Sequence, residues 1–530
     1  MRTERAQPSP TRAAAVVATL VVCASVLHAW GVNTADEDLW NHVTWGRAML
    51  ADGAVLRIDR WSYTAAGAPF FDHEWLADVV FAALFDRAGS AGLVALKLVL
   101  GATTVVAMLG SAGTLARARG LAGGVHPATA AATLVLALAS VGPGAAFRPQ
   151  LFTMALLAVE WALLERADAR MDAGRSPGWT LAAVPPLVAL WANLHGGFLI
   201  GVALAGAFTV AALLRGPHRR LGVLAAALAT VAAPLANPYG LSLYGYLLAT
   251  LGMHGRITEW MPIVPWDASH LRFTLLVVAT AAAVLPWWWR GRGSRGGLVD
   301  WRVAFLAVAA LVAFRQRRHT VLFAIAAAPV LLVALETWRR AALTRRPALR
   351  PRRRVAAAIA AGAIAVAGVQ AVGVAGPLAA AGGGIRIPSD EFPTAAVTFL
   401  RASGVAGNVA VPFEWGAYAL YHLGDRIRVF IDGRFEAVYP PAVIEDWFRF
   451  ADGRRGWERL LDAYPTDVVV IERTAEVRAA LQARTDFVQV YGDPIALVFV
   501  RRTAAGSERL ERLARLVRPA GIAAQDELFP

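Results

Sequence analysis

An acidic cluster, Asp36-Glu37-Asp38, stands directly after the first apolar segment of the chain. Carboxylates at the point where a lipid-buried helix reaches the surface are costly to desolvate, which favours a chemical role over packing. A desolvated carboxylate within hydrogen-bond reach of a hydroxyl can accept its proton. The cluster is therefore a candidate general base.

A second polar pair, His73-Glu74, follows downstream in the same loop. These side chains could orient an acceptor, or complete a divalent-metal site with the first cluster, because carboxylate oxygens suit magnesium or manganese. The alternative is purely structural. Asp72 would cap a helix N-terminus, where an acid in the first turn favours the helix dipole.

A third group is basic. Arg315, Arg318 and His319 lie between two apolar segments, and Arg148 lies between two others, where membrane topology gives no reason for positive charge. Guanidinium groups bind phosphate bidentately and stay charged, so these residues could clamp the phosphate of a membrane lipid. They could equally bind ordinary anionic lipid heads or pair with loop carboxylates.

The elements that must position these residues are mostly membrane spans. Of 530 residues, 57% are hydrophobic, and apolar stretches repeatedly reach the roughly 20 residues that cross a bilayer as a helix. The pattern predicts a mainly α, polytopic membrane protein of about eleven transmembrane helices. They lie near 13–32, 92–114, 127–142, 150–164, 179–194, 197–214, 221–236, 273–289, 302–314, 320–337 and 355–375.

The net charge of +14 indicates orientation, not a nucleic-acid partner, because arginines gather in alternate short connections. The connections expected in the cytoplasm hold Arg2, Arg5, Arg12, Arg117, Arg119, Arg166, Arg170, Arg175, Arg215, Arg219, Arg220, Arg290, Arg292, Arg295 and the tract 339–354. This predicts a multi-pass protein of the cytoplasmic (inner) membrane, with a cytoplasmic N-terminus and an extracytoplasmic C-terminal region. The single cysteine, Cys23, excludes disulfides within the chain and thiolate zinc sites.

Polar residues near the spans also favour the outer ends. His195 and Asn193 occupy one outside turn, Asn237-Pro238-Tyr239-Gly240 opens another, and Glu259-Trp260 lies in the following connection. Each taken alone is typical of a turn or a capped helix end. Together they predict a polar outer cavity in which His195 binds substrate.

The first loop, residues 33–91, has its own structure. Apolar spacing predicts interfacial helices near 39–50 and 73–87, with a strand-like crossing at 59–64 and a turn at 67–69 between them. The loop is acidic, with nine Asp or Glu against four Arg. It is assigned to a membrane domain covering residues 1–376.

Residues 377–530 are predicted to form a soluble extracytoplasmic α/β domain. Short strands are expected at 408–412, 429–432, 467–471, 487–491 and 496–500, with helices near 392–402 and 440–450. Two segments, 414–418 and 432–436, combine charges with aromatics, as sugar-binding surfaces do. The alternative for them is a turn with a salt bridge.

Taken together, the first span, the outside loop that starts with Asp36-Glu37-Asp38, the two interfacial helices, the further spans and the outside C-terminal domain resemble the GT-C superfamily of membrane glycosyltransferases. The resemblance covers about residues 13–375. It implies transfer of a sugar from a polyprenyl-phosphate-linked donor to a glycan, lipid or protein acceptor on the outer face. It also implies that Asp36 or Asp38, and then Glu37, acts as base or positions the acceptor.

Other classes fit less well. No nucleotide-binding glycine fingerprint or P-loop is present, which argues against a nucleotide-sugar enzyme or an ATP-driven pump. A transporter or flippase of a lipid-linked saccharide remains an alternative, although charged residues gather at one rim instead of at mid-span. A non-catalytic protein of envelope assembly is a third interpretation.

Overall fold

The computed structural model describes residues 12–141, 145–215, 220–250, 258–291, 300–349, 353–502 and 527–529. Arg2, Arg5, Arg219, Arg292 and Arg295 lie outside these residues. The chain divides into two compact units. Unit 1 comprises Met1–Val32 and Val94–Ala380, and unit 2 comprises Asn33–Leu93 and Ala381–Pro530.

Unit 1 is helical. Its helices are α1 Arg12–Trp30, the later part of α3 Trp75–Ala118, α4 Pro127–Leu138, α5 Gln150–Asp172, α6 Trp179–Ala182, α7 Val184–Leu194, α8 Phe198–Arg215, α9 Arg220–Ala232, α10 Leu241–Thr250, α11 Leu271–Gly291, α12 Trp301–Arg315, α13 Thr320–Arg345 and α14 Arg353–Ala380. Each of the eleven predicted spans overlaps a helix, although the span predicted at 127–142 extends beyond the end of α4 at Leu138 and residue 142 lies outside the described residues. Within the described residues, four helices are long and apolar enough to cross a membrane, or five if a bent pair counts as one span.

Helix α13 forms the centre of unit 1. Its residues from Val321 to Ala334 are almost all buried, and α4, α5, α11 and α12 pack against it. By contrast, α14 exposes most of its apolar side chains. A long apolar helix with no water-compatible face is typical of a segment that meets lipid. The chain is therefore a multi-pass membrane protein.

Unit 2 is mixed α/β. It contains α2 Leu39–Asp52, the part of α3 that precedes the break at Gly89, and β1 Arg386–Ile387, α15 Thr394–Ser403, β2 Gly407–Ala410, α16 Phe413–Leu423, β3 Ile427–Val429, α17 Pro441–Ala451, α18 Arg459–Asp462, β4 Val468–Glu472, α19 Arg478–Gln482, β5 Phe487–Gly492, β6 Ala496–Arg501 and β7 Glu527–Leu528. One sheet has the order β3-β2-β4-β6-β5, and β1 pairs with β7. Strands β2, β3 and β4 are parallel, whereas β4, β6 and β5 are antiparallel.

The first loop forms part of this sheet. Tyr63 donates its backbone N–H to the carbonyl of Val429 at 3.1 Å, and Val429 donates to Trp61 at 2.9 Å. The crossing predicted at 59–64 thus runs along the edge strand β3, which lowers the number of unpaired edge groups. In the structure the loop belongs to unit 2, whereas the sequence-based division assigned residues 33–91 to the first domain.

Aromatic packing fixes the first loop further. Trp40, on α2, is fully buried, and its ring centroid lies 4.6 Å from Phe392, 5.1 Å from Tyr418 and 5.4 Å from Phe529. Such tilted and edge-on pairs add to the free energy of burial. Tyr418 therefore belongs to the core of unit 2, and the segment 414–418 is not an open sugar-binding surface there.

Candidate active site

The backbone before the acidic cluster is clamped. Ala35 donates its N–H to Arg386 at 2.7 Å, and Arg386 donates to Asn33 at 2.7 Å, so residues 33–35 run beside β1. The Asn33 side chain donates to the carbonyl of Gly384 at 2.7 Å. These bonds remove backbone freedom from the residues that lead into Asp36, so its carboxylate is held on an ordered turn and not on a mobile loop.

Asp36 and Asp38 form the turn that starts α2. The Asp36 carboxylate accepts the backbone N–H of Asp38 at 3.1 Å, and Leu39 donates to the Asp36 carbonyl at 3.1 Å. Asp38 occupies the N-cap position of α2, where the helix dipole favours a negative charge. Both side chains are half-buried, whereas Glu37 is exposed.

Gly433 packs directly on Asp38. A Cβ atom added at Gly433 would lie 2.6 Å from Asp38 Oδ1, closer than real Cβ contacts, so a larger residue there would force the carboxylate to shift. Asp38 is thus enclosed on two sides within unit 2, by the first turn of α2 and by the segment that follows β3. Pre-organisation of this kind is what a catalytic base requires.

Behind Asp38, one helical turn later, lies a buried histidine. His42 Nδ1 is 2.6 Å from Asp78 Oδ1, and both side chains are almost fully buried. The contact depends on Gly46, because a Cβ there would lie 2.0 Å from the carbonyl oxygen of Asp78. Helices α2 and α3 can therefore approach closely enough for a direct hydrogen bond.

Asp72 completes this group. Its carboxyl group is buried, and the charge of Asp78 acts on it. Burial, and then the charge of Asp78, raise the pKa of Asp72 well above its usual range. Asp72 Oδ1 also accepts the backbone N–H of Glu74 at 3.1 Å, which confirms the predicted cap.

The prediction of a divalent-metal site that includes His73 and Glu74 stays open. His73 Nε2 lies 3.6 Å from Glu74 Oε1. Across the described part of the chain, no group of three or more His, Cys, Asp or Glu side chains is arranged to hold a metal ion. A divalent metal stays a prediction, for which the described residues offer no ready ligand set.

Segment 432–436 adopts the salt-bridged alternative. Arg434 is buried, pairs with Asp59 and, at 2.7 Å, with Asp432, and lies over four aromatic rings, those of Trp45, Trp61, Phe70 and Tyr439. A guanidinium enclosed in this way is shielded from water, and its charge is already balanced by the two carboxylates. This segment therefore joins the first loop to β3 and is not an open sugar-binding surface.

Within unit 1, the basic residues predicted to clamp a phosphate make the following contacts. Arg148 Nη1 lies 3.3 Å from Glu259 Oε1, and the Arg318 guanidinium lies 5.5 Å from the centre of the Trp260 ring. His319 pairs with Gln316 at 3.1 Å, and Arg315 is exposed at the end of α12. Arg148 and Arg318 thus contact two consecutive residues, Glu259 and Trp260, and Arg148 is paired with a carboxylate.

His195 stands apart from that cluster in its contacts. Its Nδ1 atom lies 2.7 Å from Thr153 Oγ1, and Thr153 accepts the indole N–H of Trp191 at 2.7 Å. The neighbouring turns are tied by asparagines, since Asn237 Nδ2 donates to Asn193 Oδ1 at 3.3 Å. Both asparagines also bind backbone carbonyls, so their role is to join turns.

Sequence reasoning missed His42, Asp78 and Thr153. A signal existed for the first two, because Asp38 and His42, and likewise Glu74 and Asp78, are four residues apart and so share a helix face. No local signal links His42 to Asp78, which are separated by 36 positions. Thr153 looks like any helical threonine until its partners are seen.

Comparison with solved structures identifies the fold. The archaeal oligosaccharyltransferase AglB from Archaeoglobus fulgidus, in complex with an inhibitory peptide and a dolichol-phosphate, matches with a TM-score of 0.56 and 13% identity over 87% of this chain and 69% of that one. The A. fulgidus oligosaccharyltransferase tethered to an acceptor peptide matches with a TM-score of 0.53 and 12% identity over 92% and 74%. The arabinofuranosyltransferase AftD from Mycobacteria matches with a TM-score of 0.52 and 17% identity over 93% and 42%.

These likenesses confirm the fold resemblance that the sequence indicated: the chain has the GT-C fold of polytopic membrane glycosyltransferases. No family model matches the chain, and the search of curated proteins gives no significant match. At this level of identity the likeness establishes the fold, and the activity must be argued from the site.

Proposed function

We propose that this chain is a glycosyltransferase that moves a sugar from a polyprenyl-phosphate-linked donor to an acceptor on the outer face of the cytoplasmic membrane. The observation that carries the proposal is the position and the partial burial of the Asp36 and Asp38 side chains. In a chain with the GT-C fold, these carboxylates are half-buried on an ordered turn at a helix N-terminus. They have the fixed geometry and partial desolvation that a general base requires.

The reaction follows from that geometry. The acceptor hydroxyl attacks the anomeric carbon of the sugar while its proton passes to Asp38 or Asp36. The bond between the anomeric carbon and the phosphate oxygen breaks, and the lipid phosphate leaves with the electron pair. Asp38 is favoured as the base because Gly433 and α2 hold it from two sides.

The leaving phosphate needs a positive partner. Arg318, exposed on the 3-10 helix Arg317–His319, can present its guanidinium to a lipid phosphate, and a guanidinium stabilises developing negative charge without losing its own proton. Arg315 is a second candidate on the same stretch. We propose that four further residues contribute to substrate binding through the residues that they pair with, namely Arg148, His319, His73 and Glu74.

The neighbours support this assignment of substrates. One oligosaccharyltransferase structure contains a dolichol-phosphate, and another contains an acceptor peptide. We infer by analogy a lipid-linked phosphate as donor carrier for this chain. The cytoplasmic location of the N-terminus and the inner-membrane location rest on the arginine distribution.

The test uses the full chain in lipid nanodiscs with a panel of radiolabelled polyprenyl-phosphate sugars. Wild type should release or transfer sugar, Asp38→Asn should bind donor without turnover, and Arg318→Ala should weaken donor binding. Asp390→Asn, which changes another acid of unit 2, serves as the matched control and should retain turnover. If wild type and all variants bind donor and none of them turns it over, the chain is instead a transporter or an assembly protein.

A further inference from the structure

An open cleft of about 640 Å³ lies in unit 2, on the segment that directly follows β4. Two alanines are its only apolar residues, and its polar side chains are those of Arg473, Thr474, Glu476, Arg478 and Gln482. The volume is within the range that small-ligand sites occupy. A lining this polar offers no apolar surface to a polyprenyl chain, so the cleft suits a water-soluble ligand.

Two arginines of the cleft keep most of their N–H groups available. Arg473 Nη1 donates to the carbonyl of Asp493 at 2.8 Å, and Arg478 Nη1 lies 3.5 Å from the carbonyl of Arg473. No carboxylate of the described residues lies within ion-pairing distance of either guanidinium. Backbone carbonyls orient these groups without neutralising their charge. The two side chains are therefore suited to an anionic ligand.

The cleft lies where the order of the strands reverses. Strand β2 leads through α16 to β3 on one side of it, and β3 leads through α17 and α18 to β4 on the other side. In open α/β sheets, ligands bind outside the carboxyl ends of the strands at such a switch point. The first residue of the cleft, Arg473, directly follows the carboxyl end of β4.

The proposed base lies at the same edge of the sheet. Val429 of β3 and Val468 of β4 both align with Val409 of β2, so the chain leaves β3 and β4 in the same direction, roughly 10 Å apart. The segment after β3 carries Gly433, which packs on Asp38. A ligand that extends along this edge, as an oligosaccharide does, could occupy the cleft and reach Asp38.

We propose that this cleft binds a carboxylate-bearing sugar of an oligosaccharide acceptor. The guanidinium groups of Arg473 and Arg478 hold the carboxylate. Thr474, Glu476 and Gln482 hydrogen-bond to sugar hydroxyls, which both donate and accept. Two arginines and one glutamate leave a charge of +1, which matches one carboxylate better than a phosphate. That the bound sugar is an acceptor rests on the proposed function.

Binding is measured by saturation-transfer NMR on the full chain in nanodiscs of uncharged lipid, with an oligogalacturonate and with its uncharged methyl ester. Wild type should bind the acid at least roughly 10-fold more tightly than the ester. Arg473→Gln and Arg478→Gln should each weaken binding of the acid roughly 10-fold, as loss of a hydrogen bond to a charged group does. Arg428→Gln, which removes an exposed arginine of β3 outside the cleft, is the matched control and should bind as wild type does.

Ala479 permits a test that removes no contact. It lines the cleft, is exposed and belongs to α19, where Lys and Glu both suit a helix. Ala479→Lys should tighten binding of the acid and Ala479→Glu should weaken it, with unfolding midpoints close to that of wild type. Equal affinities in these two variants would overturn the proposal, because a carboxylate held in the cleft must respond to a charge placed beside it.

Three other results would also overturn the proposal. Wild type could fail to bind the acid or bind the ester equally well. Arg428→Gln could lose as much affinity as Arg473→Gln, in which case the acid responds to surface charge at large. Inorganic phosphate could displace the oligogalacturonate at equal concentration, which would reveal a simple anion site.

The transfer assay separates this inference from the proposed function. If the order of affinities holds while no sugar on the panel of polyprenyl-phosphate sugars is transferred, the proposed function fails and the cleft stands as a glycan-binding site. If sugar is transferred to an acidic acceptor, Arg473→Gln should raise the KM for that acceptor with little change in kcat. A fall in kcat with an unchanged KM would contradict a binding role.

Discussion

Two groups of buried carboxylates, one in each compact unit, are balanced in different ways. In unit 1 the guanidinium of Arg302 contacts Glu165 at 2.8 Å, Asp168 at 2.7 Å and Asp300 at 3.1 Å. Arg215 also pairs with Asp168. In this network every acid has an arginine. The pairs of Arg302 and Arg215 with Glu165 and Asp168 join different helices, and Asp300 is the N-cap of the helix that carries Arg302.

The second group, in unit 2, combines acids with one imidazole. Asp78 contacts His42, and the negative charges of Glu74 and Asp38 act on it. Burial raises the pKa of both Asp72 and Asp78 well above the usual range, and nearby carboxylates raise it further. The contrast indicates that the acids around Arg302 serve cohesion, whereas Asp72 and Asp78 hold protons to higher pH.

The largest expected effect tests whether Asp38, in unit 2, serves the reaction. Asp38→Asn removes the proposed base while keeping the size of the side chain, so the transfer rate should fall by roughly 10²- to 10⁴-fold. Initial rates with a polyprenyl-phosphate sugar measure it. Glu37→Gln is the matched control, because Glu37 is exposed and should matter far less. Equal losses in the two variants would shift the role to the cluster as a whole.

The variant Arg302→Met tests whether the ion pairs of Arg302 stabilise the fold of unit 1. The change leaves three carboxylates without their shared partner, and removal of one member of a buried ion pair costs about 3–5 kcal/mol. Thermal unfolding in detergent should show a clear fall. The triple variant with Glu165→Gln and Asp168→Asn should recover part of the loss. Recovery would be absent if Arg302 stabilised unit 1 only through its contact with Trp301.

Much of unit 2 could be predicted from sequence, because its elements follow local patterns. Short runs rich in β-branched and aromatic residues located β4, β5 and β6, and helical spacing located α2, α15 and α17. The pairing of Tyr63 with Val429 could not be predicted, because no local pattern records which distant edge a crossing strand meets.

The candidate site divides in the same way. Asp36 and Asp38 could be found from their place after an apolar segment, and the Asp72 cap from its position before a helix. The sequence left the role of Arg434 open, since a charged residue among aromatics is equally typical of a binding surface and of a buried ion pair. Only the distant partners Asp59 and Trp45 decide for the second.

The proton held by Asp72 predicts a specific pH dependence of stability. A folded-state pKa raised above the unfolded value stabilises the fold at low pH, and this contribution is lost as pH rises through the folded pKa. Asp72→Asn keeps the cap to Glu74 and removes the titration. Its free energy of unfolding relative to wild type should therefore rise between pH 4 and pH 8, by about 1.4 kcal/mol per proton and pH unit at most, and its melting temperature should rise with it.

Asp86→Asn is the control for that series, because Asp86 is partly exposed and pairs with Arg47 on the surface. Its melting temperature should follow wild type across the same pH range. A flat difference for Asp72→Asn would mean that Asp72 titrates alike in the folded and unfolded chains, and the contrast between the two groups of acids would lose its main support.

The smallest expected effect concerns Glu160, a buried acid of unit 1 that belongs to neither group. Both of its carboxyl oxygens lack a hydrogen-bond partner among the described residues, and Oε2 would lie 2.5 Å from a Cβ at Gly201. If a buried acid without a hydrogen-bond partner were sufficient to catalyse sugar transfer, Glu160→Met would abolish transfer. We expect transfer to persist and the unfolding midpoint to stay level or rise, because an apolar side chain of similar size replaces an unsatisfied polar one. Asp38 differs from Glu160 because it is half-buried, so that an acceptor can reach its carboxylate. A loss of transfer in Glu160→Met would show that accessibility to an acceptor does not explain why Asp38 and not Glu160 is reactive.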